Sequence, residues 1–293
     1  MANLLQELQK KGLIHPPNFL VSNTHYLVYM GSVAYGVSSD NSDNDLYGFC
    51  IPEKEMVFPH LKGEILGFGK QTKRFEQYQE QTVTPEGKKY DFAIYSIVKF
   101  FQLVMENNPN MVDSLFVPQR CIVHSTAIGN LVRENRKMFL HKGCWPKFKG
   151  YSYSQLHKAD LKNPIGKRKE TIEKYGVDTK YLYHVCRLLL ECEQILSEHD
   201  LDLERNKEFL KEVRKGSWSL ERTKDFFQMK ERHLEELYNK SSLPYKPDED
   251  KIKELLLNCL EMHYGSLDKA IKIPNKNEKL LRDLENLVEK YKK

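Results

Sequence analysis

The chain has 293 residues, with 46 Lys or Arg against 41 Asp or Glu, so its net charge of +5 is a small difference between two large numbers. That excludes a wholly basic nucleic-acid coat, and a composition 30% charged and 40% hydrophobic excludes disorder and collagen-like repeats. The length suits one large domain or two of ordinary size, and 16 Tyr and 14 Phe supply a packed core with tyrosines left for surfaces that contact bases or sugars.

In chain order, Asn3 to Gly12 reads as a helix, His25 to Met30 as a strand running into Gly31, and Asp45 to Ile51 as a second strand stopped by Pro52. Tyr78 to Thr84 and Lys89 to Tyr95, joined by Pro85, Glu86 and Gly87, predict a hairpin with Val83, Tyr90, Phe92 and Ile94 as apolar members. A helix from Ser96 to Asn107 follows. Beyond Pro118 apolar residues recur at three- and four-residue spacing in Ser125 to Met138, Thr179 to Ser197, Leu203 to Arg214, Leu220 to Tyr238, Glu249 to His263 and Asn277 to Tyr291. The expected fold class is α+β, with a sheet-bearing domain over residues 1–120 and an all-helical domain over residues 121–293.

No apolar run approaches the roughly 18 residues that span a bilayer, and Met1 to Leu20 lacks the layout of a signal peptide. The expected location is cytoplasmic, with no membrane partner. Cys50, Cys121, Cys144, Cys186, Cys192 and Cys259 form no CxxC pair and read as buried free thiols. The histidines show neither HxxxH nor HExxH spacing, which speaks against a histidine-based metal site.

Met30 to Gly48 reads MGSVAYGVSSDNSDNDLYG and joins a Gly-Ser turn to two carboxylates. Side chains alternate along a strand, so Asp43 and Asp45 project to one face about 7 Å apart. Two carboxylates on one face repel unless a cation lies between them, and magnesium, which takes few carboxylates and accepts phosphate oxygens, is the natural guest. Gly31 and Ser32 follow an apolar strand, where glycine lets backbone N–H groups approach a phosphate and the serine hydroxyl adds a donor. A surface turn is the alternative for either motif alone; the two together, in this order, favour a phosphate and metal site.

The joint pattern resembles the DNA polymerase β type of nucleotidyltransferase, whose signature is Gly-Ser, a gap of about ten residues, and Asp-x-Asp. GSVAYGVSSDNSDNDLYG is similar to the GSxAYG and SDxDxxG elements of predicted nucleotidyltransferases that accompany RNA ligases in RNA repair. YDFAIYSIVKFFQLVMENNPNMVDSLF resembles that family's third-carboxylate strand and its following helix and Asn-Pro turn, and KYGVDTKYLYHVCRLL its helical-domain motif, so the likeness covers roughly residues 25 to 196.

The resemblance implies a small mixed-sheet, polymerase β-like palm followed by a helical substrate-binding domain. It implies that Asp43 and Asp45 hold two Mg²⁺ ions, or Mn²⁺ in their place, that Asp91 completes the catalytic triad nearest the attacking hydroxyl, and that Gly31 and Ser32 hold the β and γ phosphates of a nucleoside triphosphate such as ATP. On its strand Asp91 points opposite to Tyr90, Phe92 and Ile94, as a site residue or an exposed edge acid would.

Lys180, His184, Arg187 and Glu191 are spaced to form one stripe on the helix from Thr179 to Ser197. Either the stripe is a solvated face with an Arg187–Glu191 pair, or Lys180, His184 and Arg187, which fall in the family-like motif, clamp nucleotide or RNA phosphates. Residues 141–176 carry nine Lys or Arg against three acids, interleaved with Trp145, Phe148, Tyr151, Tyr153 and Tyr175. Lys147, Lys149, Lys167, Arg168 and Lys169 are the nucleic-acid-binding candidates there; the other reading is a basic loop whose aromatics anchor it to the core, and Trp145 beside Pro146 suits packing.

These features predict a metal-dependent nucleotidyltransferase that moves a nucleoside monophosphate to a 3′ hydroxyl of RNA, such as a tRNA end. A protein or small-molecule hydroxyl is the alternative acceptor, and a catalytically silent RNA-binding module of the same fold the alternative class.

Overall fold

The computed structural model describes residues 4–38, 43–58, 74–160, 167–266 and 284, with backbone alone for Glu55, Asp160 and residues 167–170. Helices α1 (Leu4–Lys10) and α2 (Leu20–Asn23) lead into strand β1 (Thr24–Tyr29), the single turn α3 (Gly31–Ala34), strand β2 (Asn44–Cys50) and the short α4 (Lys54–Val57). The hairpin β3 (Gln77–Val83) and β4 (Lys89–Ser96) follows, then α5 (Ile97–Met105), α6 (Pro109–Phe116) and strand β5 (Ile122–Ser125). Helices α7 (Ala127–Glu134), α8 (Cys144–Asp160), α9 (Lys167–Tyr175), α10 (Thr179–Glu198), α11 (Lys207–Arg214), α12 (Leu220–Lys240) and α13 (Glu249–Tyr264) make up the helical part. The class is α+β.

The strands form one mixed sheet in the order β3-β4-β2-β1-β5, in which only β2 and β4 run parallel. Alternation along the strands divides their side chains between two faces. Leu27, Leu46, Phe92 and Ile94 pack with Leu5 and Leu8 of α1. Tyr26, Val28 and Phe49, on the opposite face, join a larger core that continues through Phe100, Phe148, Leu182 and Phe227. This core runs unbroken past residue 120, and β5, from beyond that point, pairs with β1.

Helix starts follow capping chemistry. Ser96, Asn108, Thr126, Asp178, Ser219 and Asp248 each accept a hydrogen bond from a first-turn backbone N–H. The Asn-Pro turn thus continues as a helix, α6, because Asn108 caps it and Pro109 fits its first turn. α11 begins at Lys207 and not at Leu203, because the Asp202 carboxylate accepts from Glu204 N (3.0 Å) and holds a turn there. β5 is too short and too evenly half-buried for an alternating signature. Val83, read as an apolar hairpin member, lies exposed.

The basic stretch over residues 141–176 includes two helices, α8 and α9. Trp145 and Phe148 are buried, and the Trp145 indole N–H donates to Glu235 (2.7 Å). Lys142 is also buried, its ammonium 4.5 Å from the centre of the Tyr245 ring. All six cysteines are free and buried. Among the described residues no helix is long and apolar enough to cross a membrane. The helix expected over Asn277 to Tyr291 falls outside the described residues apart from Leu284.

Candidate active site

Parallel pairing of β2 with β4 sets Asp45 directly beside Asp91, at the inter-strand spacing of about 4.8 Å. Asp43 precedes β2 by one residue and is exposed. Both strand carboxylates face the helical part, opposite to Leu46, Phe92 and Ile94. Gln81, the β3 register partner of Asp91, donates its side-chain N–H to Asp91 Oδ2 (2.8 Å) and orients that carboxylate.

The Gly31–Ser32 turn is tied to the same strand. Met30 N donates to the Asp45 carbonyl (2.7 Å). Gly31 has φ +58°, and a Cβ there would lie 2.0 Å from Asp45 Oδ2. Two demands therefore fix glycine: a left-handed backbone and room for a carboxylate. Gly31→Ala is expected to cost ~1–2 kcal/mol through the backbone alone and more through displacement of Asp45. Gly87→Ala is the control, because Gly87 has φ +81° and open space around it. Urea unfolding of both compares them; equal losses would remove the clash argument.

Asp45 has its pKa raised, first by burial and further by the neighbouring Asp91 and Asp43, with Lys180 opposing. The side chains are not gathered into a ready coordination cluster: among the described residues no group of three His, Cys, Asp or Glu is placed to hold a metal. Adjacency and like charge nonetheless fit Asp43, Asp45 and Asp91 as donors to a hard divalent cation, with side-chain rotation needed to close the set. Tyr47, on the same face as Asp45, has its pKa pushed up to about 12, chiefly by burial.

A cavity of about 610 Å³ collects most of the residues singled out by sequence. Gly31, Ser32, Asp43 and Asp45 line one wall, and Lys180, His184 and Arg187 of α10 another. Asp91 stands beside Asp45 but does not line the cavity. Tyr35, Tyr47, Asn110, Tyr175, Tyr183 and Arg214 also line it. Tyr47 was legible from strand alternation with Asp45, Tyr35 lay in the quoted GSVAYG element and Tyr175 among the aromatics of the basic stretch, whereas no local pattern announces Arg214.

The stripe on α10 is not a uniform solvated face. Lys180 is exposed and His184 half-buried, but Arg187 and Glu191 are buried. Arg187 Nη1 lies 2.6 Å from Asp113 Oδ2 and 3.3 Å from Glu191 Oε1, and also contacts the Tyr35 hydroxyl. Tyr35 donates to Asp113 Oδ2 (2.5 Å), and its ring lies 4.4 Å from the guanidinium carbon. The Arg187–Glu191 pair therefore forms inside the core, where it joins the glycine-serine loop to α6 and α10.

The nucleic-acid candidates separate. Lys147 is half-buried on α8. Lys149 pairs with Glu231 (2.7 Å) and lies over the Trp145 ring. Lys167, Arg168 and Lys169 open α9, and their side chains lie outside the described residues. Thr171 and Tyr175 carry the same helix to the cavity.

Comparison with curated proteins yields no match. Among solved structures the chain is similar to a nucleotidyltransferase-like protein from Exiguobacterium sibiricum 255-15, at 9% identity and a TM-score of 0.28, over 74% of this chain and 69% of that one. A family model described as RlaP, RNA repair pathway DNA polymerase beta family, matches residues 5–260. That span takes in the Gly-Ser turn, the three carboxylates and α10, and the chain belongs to this RNA repair family of the DNA polymerase β type.

Proposed function

We propose that this protein transfers a nucleoside monophosphate from a nucleoside triphosphate to a 3′ hydroxyl of RNA, with pyrophosphate leaving. The observation that carries the reading is the convergence on one cavity of the Gly31–Ser32 turn, the Asp43 and Asp45 carboxylates, and Lys180 with His184. Membership of an RNA repair family supports RNA as the acceptor. So does α9, whose basic opening turn at Lys167 to Lys169 precedes Thr171, a cavity residue, on the same helix.

In this reading Gly31 and Ser32 face the β and γ phosphates, and Lys180 and His184 bind nucleotide from the opposite wall. Asp91, oriented by Gln81, is the carboxylate nearest the attacking hydroxyl. Arg187 acts at one remove: its charge is compensated by Asp113 and Glu191, and it holds Tyr35 and so the phosphate loop. Asp43, Asp45 and Asp91 would hold a divalent ion such as Mg²⁺, which would supply charge neutralisation at the phosphates and lower the pKa of the hydroxyl. The chain's own contribution is to position two substrates and keep them in register.

The test is incubation with magnesium and each labelled nucleoside triphosphate in turn, with total RNA and total protein both present. Label in RNA is the expected result. Label in protein alone would move the acceptor to a polypeptide hydroxyl, and label in neither polymer, at every base, would count against RNA transfer.

A further inference from the structure

The cations that line the cavity are not equivalent. Arg187 faces two buried carboxyl groups, at 2.6 Å and 3.3 Å, so it adds no uncompensated charge, and moving it toward a ligand would strand both acids. Lys180 offers a single ammonium. Arg214, the last residue of α11, lines the same cavity and has no carboxylate partner among the described residues. Its Nη1 donates to the Val37 carbonyl (3.0 Å), and its guanidinium carbon lies 5.4 Å from the centre of the Tyr183 ring. A guanidinium has five N–H donors in a planar fork, so most of them remain for a ligand.

Two features aim this group at the phosphate end of the cavity. Val37 N donates to the Ser32 carbonyl (3.0 Å), so the carbonyl that holds Arg214 belongs to the loop that carries Gly31 and Ser32. The Tyr183 ring faces the guanidinium, and its hydroxyl is buried with no hydrogen-bond partner among the described residues, although Tyr183 also lines the cavity. A half-buried guanidinium and an unused hydroxyl donor at one place suit an oxyanion with several acceptor oxygens.

We propose that Arg214 is a phosphate-binding residue of this site, its fork taking oxygens of the terminal phosphates of the triphosphate with the Tyr183 hydroxyl as a further donor. The proposal deepens the nucleotidyl-transfer reading and rests on it. It places in α11 a role that the spacing on α10 assigned to Arg187. It also makes the helical part a direct participant in holding the leaving pyrophosphate.

Isothermal titration of the full chain with inorganic tripolyphosphate and magnesium tests it, because that probe has no base or sugar. Arg214→Gln keeps an N–H donor for the Val37 carbonyl but loses the charge, and it is expected to weaken binding about tenfold or more. Arg205→Gln, which removes a surface partner of Glu198, is expected to bind as wild type. Wild-type affinity in Arg214→Gln, or an equal loss in Arg205→Gln, overturns the proposal. Should Arg214→Gln melt early, Arg214→Lys carries the test: a point charge without the fork is expected to bind several-fold more weakly, and unchanged affinity overturns the proposal. A wild-type protein that transfers labelled nucleotide while Arg214→Gln binds the probe normally sinks this inference alone. One that neither binds the probe nor transfers label sinks the nucleotidyl-transfer reading with it.

Discussion

An Asp91→Asn variant is expected to bind nucleoside triphosphate and to transfer none of it, with a loss of at least about a thousandfold. The reason is positional. Asp91 is the register partner of Asp45 but does not line the cavity, whereas Asp45, Gly31 and Ser32 do. Removing its charge leaves the Gly31–Ser32 loop and the α10 wall intact and strips the carboxylate proposed to lie nearest the attacking hydroxyl. Single-turnover transfer measured beside equilibrium nucleotide binding separates the two effects; undiminished transfer would remove Asp91 from the site. Asp45→Asn provides the contrast. Burial, with Asp91 and Asp43 adding to it, raises the Asp45 pKa, so the folded state holds this proton more tightly than the unfolded chain does. Stability then falls as pH rises from the unfolded pKa through the folded one, and above that window the charge is a standing cost. Without divalent ions at neutral pH, Asp45→Asn should raise Tm by a few degrees while abolishing transfer.

The second large effect is on folding. Asp113→Ala is expected to destabilise the protein by about 3–5 kcal/mol, the cost of leaving a buried cation without its partner, and to lower Tm by on the order of 10 °C. Asp113 and Arg187 are both almost wholly buried and 2.6 Å apart, and Tyr35 donates to the same carboxylate oxygen. Glu191 shares the cation at the longer distance of 3.3 Å. Burial raises the pKa of both acids, with Arg187 opposing in each case. Glu191→Gln keeps a side-chain oxygen acceptor at that longer contact and should cost less than Asp113→Ala, about 1–3 kcal/mol. Urea unfolding of the two variants compares them; equal losses would remove Asp113 as the principal partner of Arg187.

Local patterns carried much of this protein. Strand alternation with Gly31 and Pro52 as stops located β1 and β2, the turn residues Pro85 to Gly87 located the hairpin, and three- and four-residue spacing located α10, α12 and α13. Each of these signals lies within one element, where side-chain direction follows from backbone geometry. The Gly-Ser turn and the Asp-x-Asp strand were legible for the same reason, as was Asp91 on the face opposite Phe92 and Ile94.

The tertiary structure decided what depends on neighbours distant in sequence. Parallel pairing of β2 with β4 set Asp45 beside Asp91, a register that neither strand encodes alone. The spacing on α10 placed Arg187 on the polar stripe with Lys180, but α6 and Tyr35 close over that turn and leave Lys180 exposed, so one stripe became a buried ion pair at one end and a cavity wall at the other. Arg214 showed the converse: an ordinary basic residue at a helix end, brought to the Gly31–Ser32 loop by how α11 docks. Periodicity fixes which way a side chain points from its own helix or strand, whereas burial and charge compensation are set by what the chain folds against it.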